Sequence, residues 1–258
     1  MINYLKLIRY RHLLLLAFMQ LIFRYGFLKL QNIPLALADW QYILLVFSTL
    51  FLAAGGSIIN AIFQQDSDSE NKPDCQVVGK FISENTAYNL YAAFTFTGVS
   101  IGFYLSNVIQ KSNFAILFIL IASTLYFYAS SMKNSILIGN IIVAFTTSIY
   151  LLLIGLFDLL PTTFEANQTV MGIHFSILFD YAVFTFIIAF LIELVSDIEN
   201  TKGDTSQGLS TLAVVIGFSK AKNTVLTLSL IPILCVVYYL KVYLFDAKLL
   251  YSFIYGLI

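Results

Sequence analysis

The sequence predicts an all-α protein, a polytopic bundle of membrane helices that forms a single domain over residues 1–258. Of its 258 residues 59% are hydrophobic and only 11% are charged, and the mean hydropathy is +0.86. Soluble domains carry about 25% charged residues, so this chain lacks the polar surface needed in water. A membrane-spanning helix takes about 20 apolar residues, which leaves little chain for a separate soluble domain.

The apolar residues fall into about eight segments, and each predicts one membrane helix. The segments cover 12–30, 41–62, 86–108, 114–130, 136–157, 174–196, 221–240 and 247–258. The opening MINYLKLIRYRH alternates basic and apolar residues, which predicts an interfacial helix leading into the first span. Arg24 interrupts that span, and we expect it near a helix end or paired inside the bundle. The last segment is still apolar at Ile258, so we expect it to be truncated and the sequence to be a fragment.

Gly98 and Gly102 lie inside the third segment. Small residues within membrane helices usually permit close contact with a neighbouring helix. The two cysteines, Cys75 and Cys235, lie in very different surroundings and predict neither a disulfide nor a zinc site. The formal net charge is zero, which gives no general attraction to nucleic acid.

Alternation of the eight segments fixes which loops share a side of the membrane. The first side holds the N-terminus and the loops around 63–85, 131–135 and 197–220. Nine of the 14 Lys and Arg residues lie on that side, and an excess of basic residues marks the cytoplasmic side. We therefore expect an integral protein of a bacterial-type inner (plasma) membrane, with its N-terminus and acidic loops in the cytoplasm.

Two acidic runs follow the second and sixth segments, and alternation places both on the same side. If each run continues the helix before it, side chains three, four or seven residues apart share one face. The two sets are Asn60, Gln64 and Asp68 in the first run, and Asp197, Asn200 and Asp204 in the second. Oxygen ligands of this kind suit Mg²⁺ together with a phosphorylated ligand. The alternative is that both runs are solvated loops.

Three stretches resemble the UbiA-type intramembrane prenyltransferases. Residues 55–73 (GGSIINAIFQQDSDSENKP) resemble the first family signature, in which Asn and Asp at four-residue spacings precede Asn-Lys-Pro. Residues 192–217 (IELVSDIENTKGDTSQGLSTLAVVIG) resemble the second, an Asp-rich turn followed by Gly-Asp and Gly-x-x-Thr-Leu. Between them, residues 128–140 (YASSMKNSILIGN) resemble the family's Tyr and Lys pair ahead of a Gly-Asn step.

The resemblance implies a helical bundle around a central cavity with acidic helix ends at its cytoplasmic mouth. It also implies a prenyl diphosphate donor, a lipophilic acceptor among the membrane lipids, and Mg²⁺ as cofactor. The implied catalytic residues are Asp68, Asp197, Asp204 and Lys133. The implied metal ligands are Asn60, Asp68, Asp197 and Asp204. The implied substrate-binding residues are Asn60, Gln64, Lys72, Tyr128, Glu193 and Asn200.

The chain departs from the family pattern at the carboxylates. Gln64 and Asn200 stand where Asp is expected, so each signature has lost a negative charge. Cys75 and Gln76 replace an Arg-Pro pair, and we expect Lys72 and Lys80 to take over its contact with the diphosphate. These replacements bear on catalytic competence and leave the expected fold unchanged.

The main hypothesis is Mg²⁺-dependent transfer of an isoprenoid chain from its diphosphate to a lipid-soluble acceptor. Residues 136–144 (ILIGNIIVA) and 4–10 (YLKLIRY) are most similar to family members that prenylate the hydroxyl of geranylgeranylglyceryl phosphate; a quinone-precursor ring is the second acceptor class. The alternative is a degenerate member that binds prenyl diphosphate or lipid without catalysis. A transporter is less well supported, because the acids lie at helix mouths and not at mid-membrane.

Overall fold

The protein is a bundle of α-helices. The computed structural model describes residues 2–65, 76–131, 135–206 and 208–241. Within these ranges there is no β-strand, and the only β-type pairing is an isolated bridge between Val78 and Ile82. The helices are α1 Ile2–Leu7, α2 Tyr10–Leu21, α3 Asp39–Phe63, α4 Glu84–Val108, α5 Ala115–Ser130, α6 Ile138–Ile154, α7 Gln168–Ser206, α8 Leu212–Ile216, α9 Phe218–Leu228 and α10 Leu230–Tyr239.

Six helical stretches of the described chain are long and apolar enough to cross a membrane. They are Tyr10–Gln31, Asp39–Phe63, Ser112–Ser130, Ile138–Thr162, Gln168–Ser206 and Phe218–Tyr239. The predicted segment 86–108 does form a helix, α4, but its Asn, Thr and Ser residues make it less apolar than these six. The segment 247–258 lies outside the described residues. The all-α membrane bundle is confirmed, and six of the seven predicted segments that lie within the described residues are candidate spans, against eight predicted for the whole chain.

The core of the bundle lies where α3 packs against α4 and α5, and where α6 packs against α7. Close approach depends on glycine. A Cβ at Gly102 of α4 would lie 2.3 Å from the Phe118 ring of α5, and one at Gly98 would lie 3.0 Å from Leu52 of α3. The close helix contacts predicted at these two glycines are therefore confirmed.

One buried ion pair connects α2 with α6 at the end of the bundle away from the acidic runs. Arg24 lies in a π-helical turn that continues α2, Ile22–Phe27, and Asp158 lies in a matching turn that continues α6, Gly155–Leu159. The two side chains are 1% and 0% exposed, and Arg24 Nε lies 3.0 Å from Asp158 Oδ2. Pairing inside the bundle was one of the alternatives expected for Arg24, and it is the one that the structure shows.

The helix α7 is much longer than the apolar segment 174–196 that predicted it. Its 39 residues span about 58 Å at 1.5 Å per residue, well beyond the roughly 30 Å of a bilayer's hydrocarbon core. The second acidic run is therefore the last turns of a continuous helix and not a solvated loop. In contrast, α3 ends at Phe63 with Gln64 as its C-cap, in a non-helical conformation (φ −103°, ψ 11°).

Candidate functional site

Four helix ends come together at one end of the bundle. The C-terminal ends of α3, α5 and α7 lie there, together with the first turn of α6. A small hydrophobic cluster holds this end and includes Leu7 of α1, Ile58 and Ile62 of α3, and Ala129 of α5. Because α5 also contacts α6, and α6 packs along α7, polar side chains of α5, α6 and α7 become neighbours at this end.

The most direct polar contact in this region joins α6 and α7. Asn140 Nδ2 donates a hydrogen bond to Asp197 Oδ2 at 2.8 Å. Asn140 is only 6% exposed, and Asp197 is partly buried. A predicted catalytic carboxylate is thus held by a buried amide of the neighbouring helix.

Tyr128, near the end of α5, lies beside the acidic end of α7. It is partly buried, and its hydroxyl interacts electrostatically with the carboxylates of Glu193, Asp197 and Asp204. The guanidinium of Arg9 acts on the same hydroxyl with the opposite sign. Arg9 lies between α1 and α2 in the left-handed region (φ 51°, ψ 51°), which non-glycine residues seldom adopt. The structure therefore groups Tyr128 with three of the predicted site carboxylates.

The two aspartates of α7 lie on one face of the helix but at different positions along its axis. Asp197 and Asp204 are seven residues apart, so their Cα atoms differ by about 10.5 Å along the helix axis. Asp204 is 1% exposed, and its backbone carbonyl accepts a 2.9 Å hydrogen bond from the amide of Leu209. A separation of this size is better suited to two ions, or to the two ends of an extended anion, than to one ion held by both carboxylates.

The residues from the first signature form a separate pair. Gln64 Nε2 donates to the amide oxygen of Asn60, and Asn60 is 6% exposed. This bond confirms that the two side chains share a face across the end of α3. On α7, Asn200 Nδ2 donates to Ser196 Oγ at 3.3 Å. The meeting of the Asn60–Gln64 pair with the carboxylates of α7 stays a prediction.

Three predicted site residues, Asp68, Lys72 and Lys133, lie outside the described residues. Two residues near the site were not assigned to it from the sequence, Asn140 and Arg9. Asn140 was visible as part of the Gly-Asn step, and Arg9 as part of the basic opening. Nothing in the sequence alone showed that either lies beside the carboxylates of α7.

Within the described ranges, no group of three or more His, Cys, Asp or Glu residues could hold a metal ion. The predicted metal set includes Asp68, so the described chain supplies only part of it. Two surface hollows lie elsewhere. One is at the opposite end of the bundle beside Arg24, Lys29 and Asp39, and the other is on the outer face of α4 and α5. The candidate site is therefore defined by its polar side chains and not by either hollow.

The chain is similar in sequence to curated archaeal proteins named digeranylgeranylglyceryl phosphate synthase. One from Sulfurisphaera tokodaii is 30% identical over 169 residues, which cover 66% of this chain and 55% of that protein. One from Methanobrevibacter smithii is 26% identical over 197 residues, covering 76% of this chain and 65% of that protein. The chain thus spans less than two thirds of the length of these relatives.

A solved structure described as "Structural and mechanistic insights into the biosynthesis of Digeranylgeranylglyceryl phosphate synthase in membranes" has a similar fold. It superposes with a TM-score of 0.59 at 21% identity, covering 93% of this chain and 78% of that one. The family model described as "UbiA prenyltransferase family" matches residues 14–258. The protein is therefore an integral membrane protein, and it belongs to the UbiA prenyltransferase family.

Proposed function

We propose that the protein transfers an isoprenoid chain from a prenyl diphosphate to the hydroxyl of a glycerol-phosphate lipid within the membrane. Family membership supports prenyl transfer, and the names of the relatives favour a glycerol-phosphate acceptor. The observation that carries the proposal is the set of interactions at the end of α7. There Asp197 is bonded to Asn140, and Tyr128 interacts with the carboxylates of Glu193, Asp197 and Asp204.

The proposed reaction breaks the bond between C1 of the prenyl chain and the diphosphate oxygen, and the bonding electrons leave with the diphosphate. The acceptor hydroxyl oxygen then forms a bond to C1 and releases its proton to a basic oxygen of the site. We propose that the Tyr128 hydroxyl donates a hydrogen bond to the departing diphosphate. Charge developing on that group in the transition state makes such a donor more effective.

We propose that Mg²⁺ ions assist, with Asp197 and Asp204 as ligands of different ions and Asp68 completing the set. Carboxylate oxygens are the ligands that Mg²⁺ prefers, in combination with substrate phosphates, so the side chains present fit in kind. When bound, Mg²⁺ would offset the negative charge of the leaving diphosphate.

The stretch that follows α7 offers a further hydrogen-bond donor to a phosphorylated ligand. The hydroxyl of Thr211, in the Gly-x-x-Thr-Leu stretch that follows α7, is buried without a hydrogen-bond partner in the described chain. A buried polar group left unpaired costs about 1–3 kcal/mol. An additional acceptor, such as a phosphate oxygen, would remove that cost.

We place the site on the cytoplasmic side of a plasma membrane. The support is the excess of Lys and Arg residues on the side predicted to hold the N-terminus and the acidic runs. The bacterial type of membrane stays a prediction from the sequence, whereas the relatives reported above come from archaea.

A second proposal is that the chain binds prenyl diphosphate or lipid without turnover. The Gln64 side chain favours this proposal, because it replaces the Asp expected from the family pattern and donates a hydrogen bond to Asn60. An amide brings no charge to offset a divalent cation. Prenylation of a quinone-precursor ring is the alternative within the catalytic class.

Turnover would be measured with the purified protein, radiolabelled prenyl diphosphate, Mg²⁺ and two acceptors, a prenylated glycerol phosphate and an aromatic quinone precursor. Product with the glycerol phosphate alone, abolished by EDTA and by Asp197→Asn, is the expected result. Glu165→Gln removes an exposed carboxylate elsewhere in the chain and is the matched control, which we expect to retain wild-type turnover.

The same assay separates the catalytic and the non-catalytic proposals. The Gln64→Asp, Asn200→Asp double variant restores the two carboxylates expected from the family pattern. Binding of prenyl diphosphate by the wild type without product, together with turnover by the double variant, would support the non-catalytic protein. Product formed only on the aromatic ring would reject the glycerol-phosphate acceptor.

A further inference from the structure

We infer that Asn140 is a positioning residue for the diphosphate site, which it serves by fixing the carboxylate of Asp197. The inference rests on the proposed function. It concerns a residue that touches Asp197 and is not itself assigned a contact with substrate or metal.

The contact is short, buried and formed between two helices. Asn140 Nδ2 lies 2.8 Å from Asp197 Oδ2, and Asn140 is 6% exposed. Because the donor lies in the first turn of α6 and the acceptor near the end of α7, the bond fixes Asp197 relative to a second helix. A side chain held in this way has fewer rotamers available than one held only by its own helix.

Two small residues flank Asn140 on α6. Gly139 and Ala144, which precede it and follow one turn later on α6, are both buried. Small side chains at helix contacts let two backbones approach closely, and α6 packs along α7. The amide can therefore reach the carboxylate directly.

The amide suits this position because it carries no charge. An Asn Nδ2 group donates a hydrogen bond to a carboxylate but leaves its negative charge in place, whereas Arg or Lys would neutralise much of that charge. A carboxylate that must bind a cation or face a developing positive charge needs orientation without neutralisation. An uncharged donor supplies that combination.

Two substitutions test the inference. Asn140→Leu removes the donor and keeps the branched shape and the number of side-chain heavy atoms, and Asn140→Ser keeps a small polar group that is too short to make the bond. The control is Thr147→Val, which removes the 2.8 Å hydrogen bond between Thr147 Oγ1 and the Val143 carbonyl within the same helix. The probe is Mn²⁺ with inorganic diphosphate, and binding is followed by electron paramagnetic resonance with no turnover required.

We expect each Asn140 variant to raise the apparent Kd for Mn²⁺ by about tenfold or more, as is typical when a group that orients a metal ligand is lost. Thr147→Val should keep the wild-type value. In an Asp197→Asn background, Asn140→Ser should cause little additional loss, because residues that act through one contact are not additive. Should Asn140→Leu fail to fold, the smaller Asn140→Ser carries the test.

Wild-type Mn²⁺ affinity in a folded Asn140→Ser protein would overturn the inference, and so would a full additional loss in the Asp197→Asn background. Failure of the proposed function gives a different result. In that case the wild type itself neither binds Mn²⁺ with diphosphate nor forms product.

Discussion

At the scale of single residues, Arg24 and Asp158 form a fully buried ion pair. Asp158 Oδ1 also accepts a 3.0 Å hydrogen bond from the Leu37 amide, and Arg24 donates to the Leu37 carbonyl. The Arg24 guanidinium lies 4.3 Å from the centre of the Tyr42 ring. The two charges therefore hold the segment before α3 against both α2 and α6.

Removing one member of this pair should be far more costly than removing both charges. Arg24→Met leaves the Asp158 carboxyl buried without its charged partner, a situation that typically costs about 3–5 kcal/mol. We expect thermal unfolding in detergent to move to a clearly lower temperature. The combined Arg24→Met, Asp158→Leu variant should recover much of that loss.

The neighbouring pair of Lys29 and Asp39 provides the control. These side chains lie 2.6 Å apart but are 39% and 58% exposed, and solvent weakens exposed pairs. Lys29→Met should therefore leave the unfolding temperature almost unchanged. A loss as large as that of Arg24→Met would contradict the role assigned to burial.

Tyr128 is the residue whose hydroxyl can be tested most cleanly. Tyr128→Phe removes only that hydroxyl, and we expect turnover to fall by about tenfold, equivalent to about 1.4 kcal/mol. The matched control is Tyr126→Phe on the same helix, because Tyr126 is 38% exposed and packs against Phe63 and Tyr91. Equal turnover by wild type and Tyr128→Phe would remove Tyr128 from the proposed chemistry.

At the scale of helices, the positions of the apolar helices follow from hydropathy but their ends do not. The apolar pattern placed α3 and α7 correctly, because burial in lipid selects apolar side chains along the whole span. Hydropathy did not mark the end of α7, because backbone hydrogen bonds continue through polar residues, whereas the spacing of Asp197, Asn200 and Asp204 did predict that the helix continues. In this part of the helix the side-chain hydroxyls of Thr201 and Thr205 also donate hydrogen bonds to the backbone carbonyls of Asp197 and Thr201. The apolar pattern does not distinguish the π-helical turns around Arg24 and Asp158 from the α-helices that precede them.

Long-range pairing marks the limit of sequence reasoning about the site. Regular spacing within one helix predicted that Asn60 and Gln64 share a face, and they do. The bond from Asn140 to Asp197 joins residues 57 positions apart. Such a contact depends on how two helices rotate against each other, which neither hydropathy nor spacing determines.

The contact between α4 and α5 should be sensitive to one methyl group. In Gly102→Ala the added Cβ would meet the ring of Phe118 at 2.3 Å, and Phe118 is fully buried. Overpacking of this kind costs about 1–3 kcal/mol, so thermal unfolding should occur at a lower temperature.

Gly172→Ala on α7 is the matched control, because a Cβ there meets nothing within 4 Å. Alanine favours a helix more than glycine does, so this variant should be at least as stable as the wild type. If both alanine variants unfolded at the same temperature, close packing at Gly102 would not be limiting.

At the scale of the whole molecule, the proposed orientation can be tested with single cysteines. In a variant lacking both natural cysteines, Thr205→Cys marks the end of α7 and Lys111→Cys marks the loop between α4 and α5; both positions are exposed. A membrane-impermeant thiol reagent should label the first only from the cytoplasmic side and the second only from the other. The reverse pattern would invert the proposed topology.

Because α7 is long, its tilt in the membrane affects the position of the site residues at its end. The unbroken helix has 39 residues and is about 58 Å long. A change in tilt of about 5° about its Gln168 end therefore moves its Ser206 end by about 5 Å. Bilayer thickness biases helix tilt. Reconstitution into lipids of shorter or longer acyl chains should therefore displace Asp197 and Asp204 relative to Tyr128, and turnover should pass through an optimum with membrane thickness.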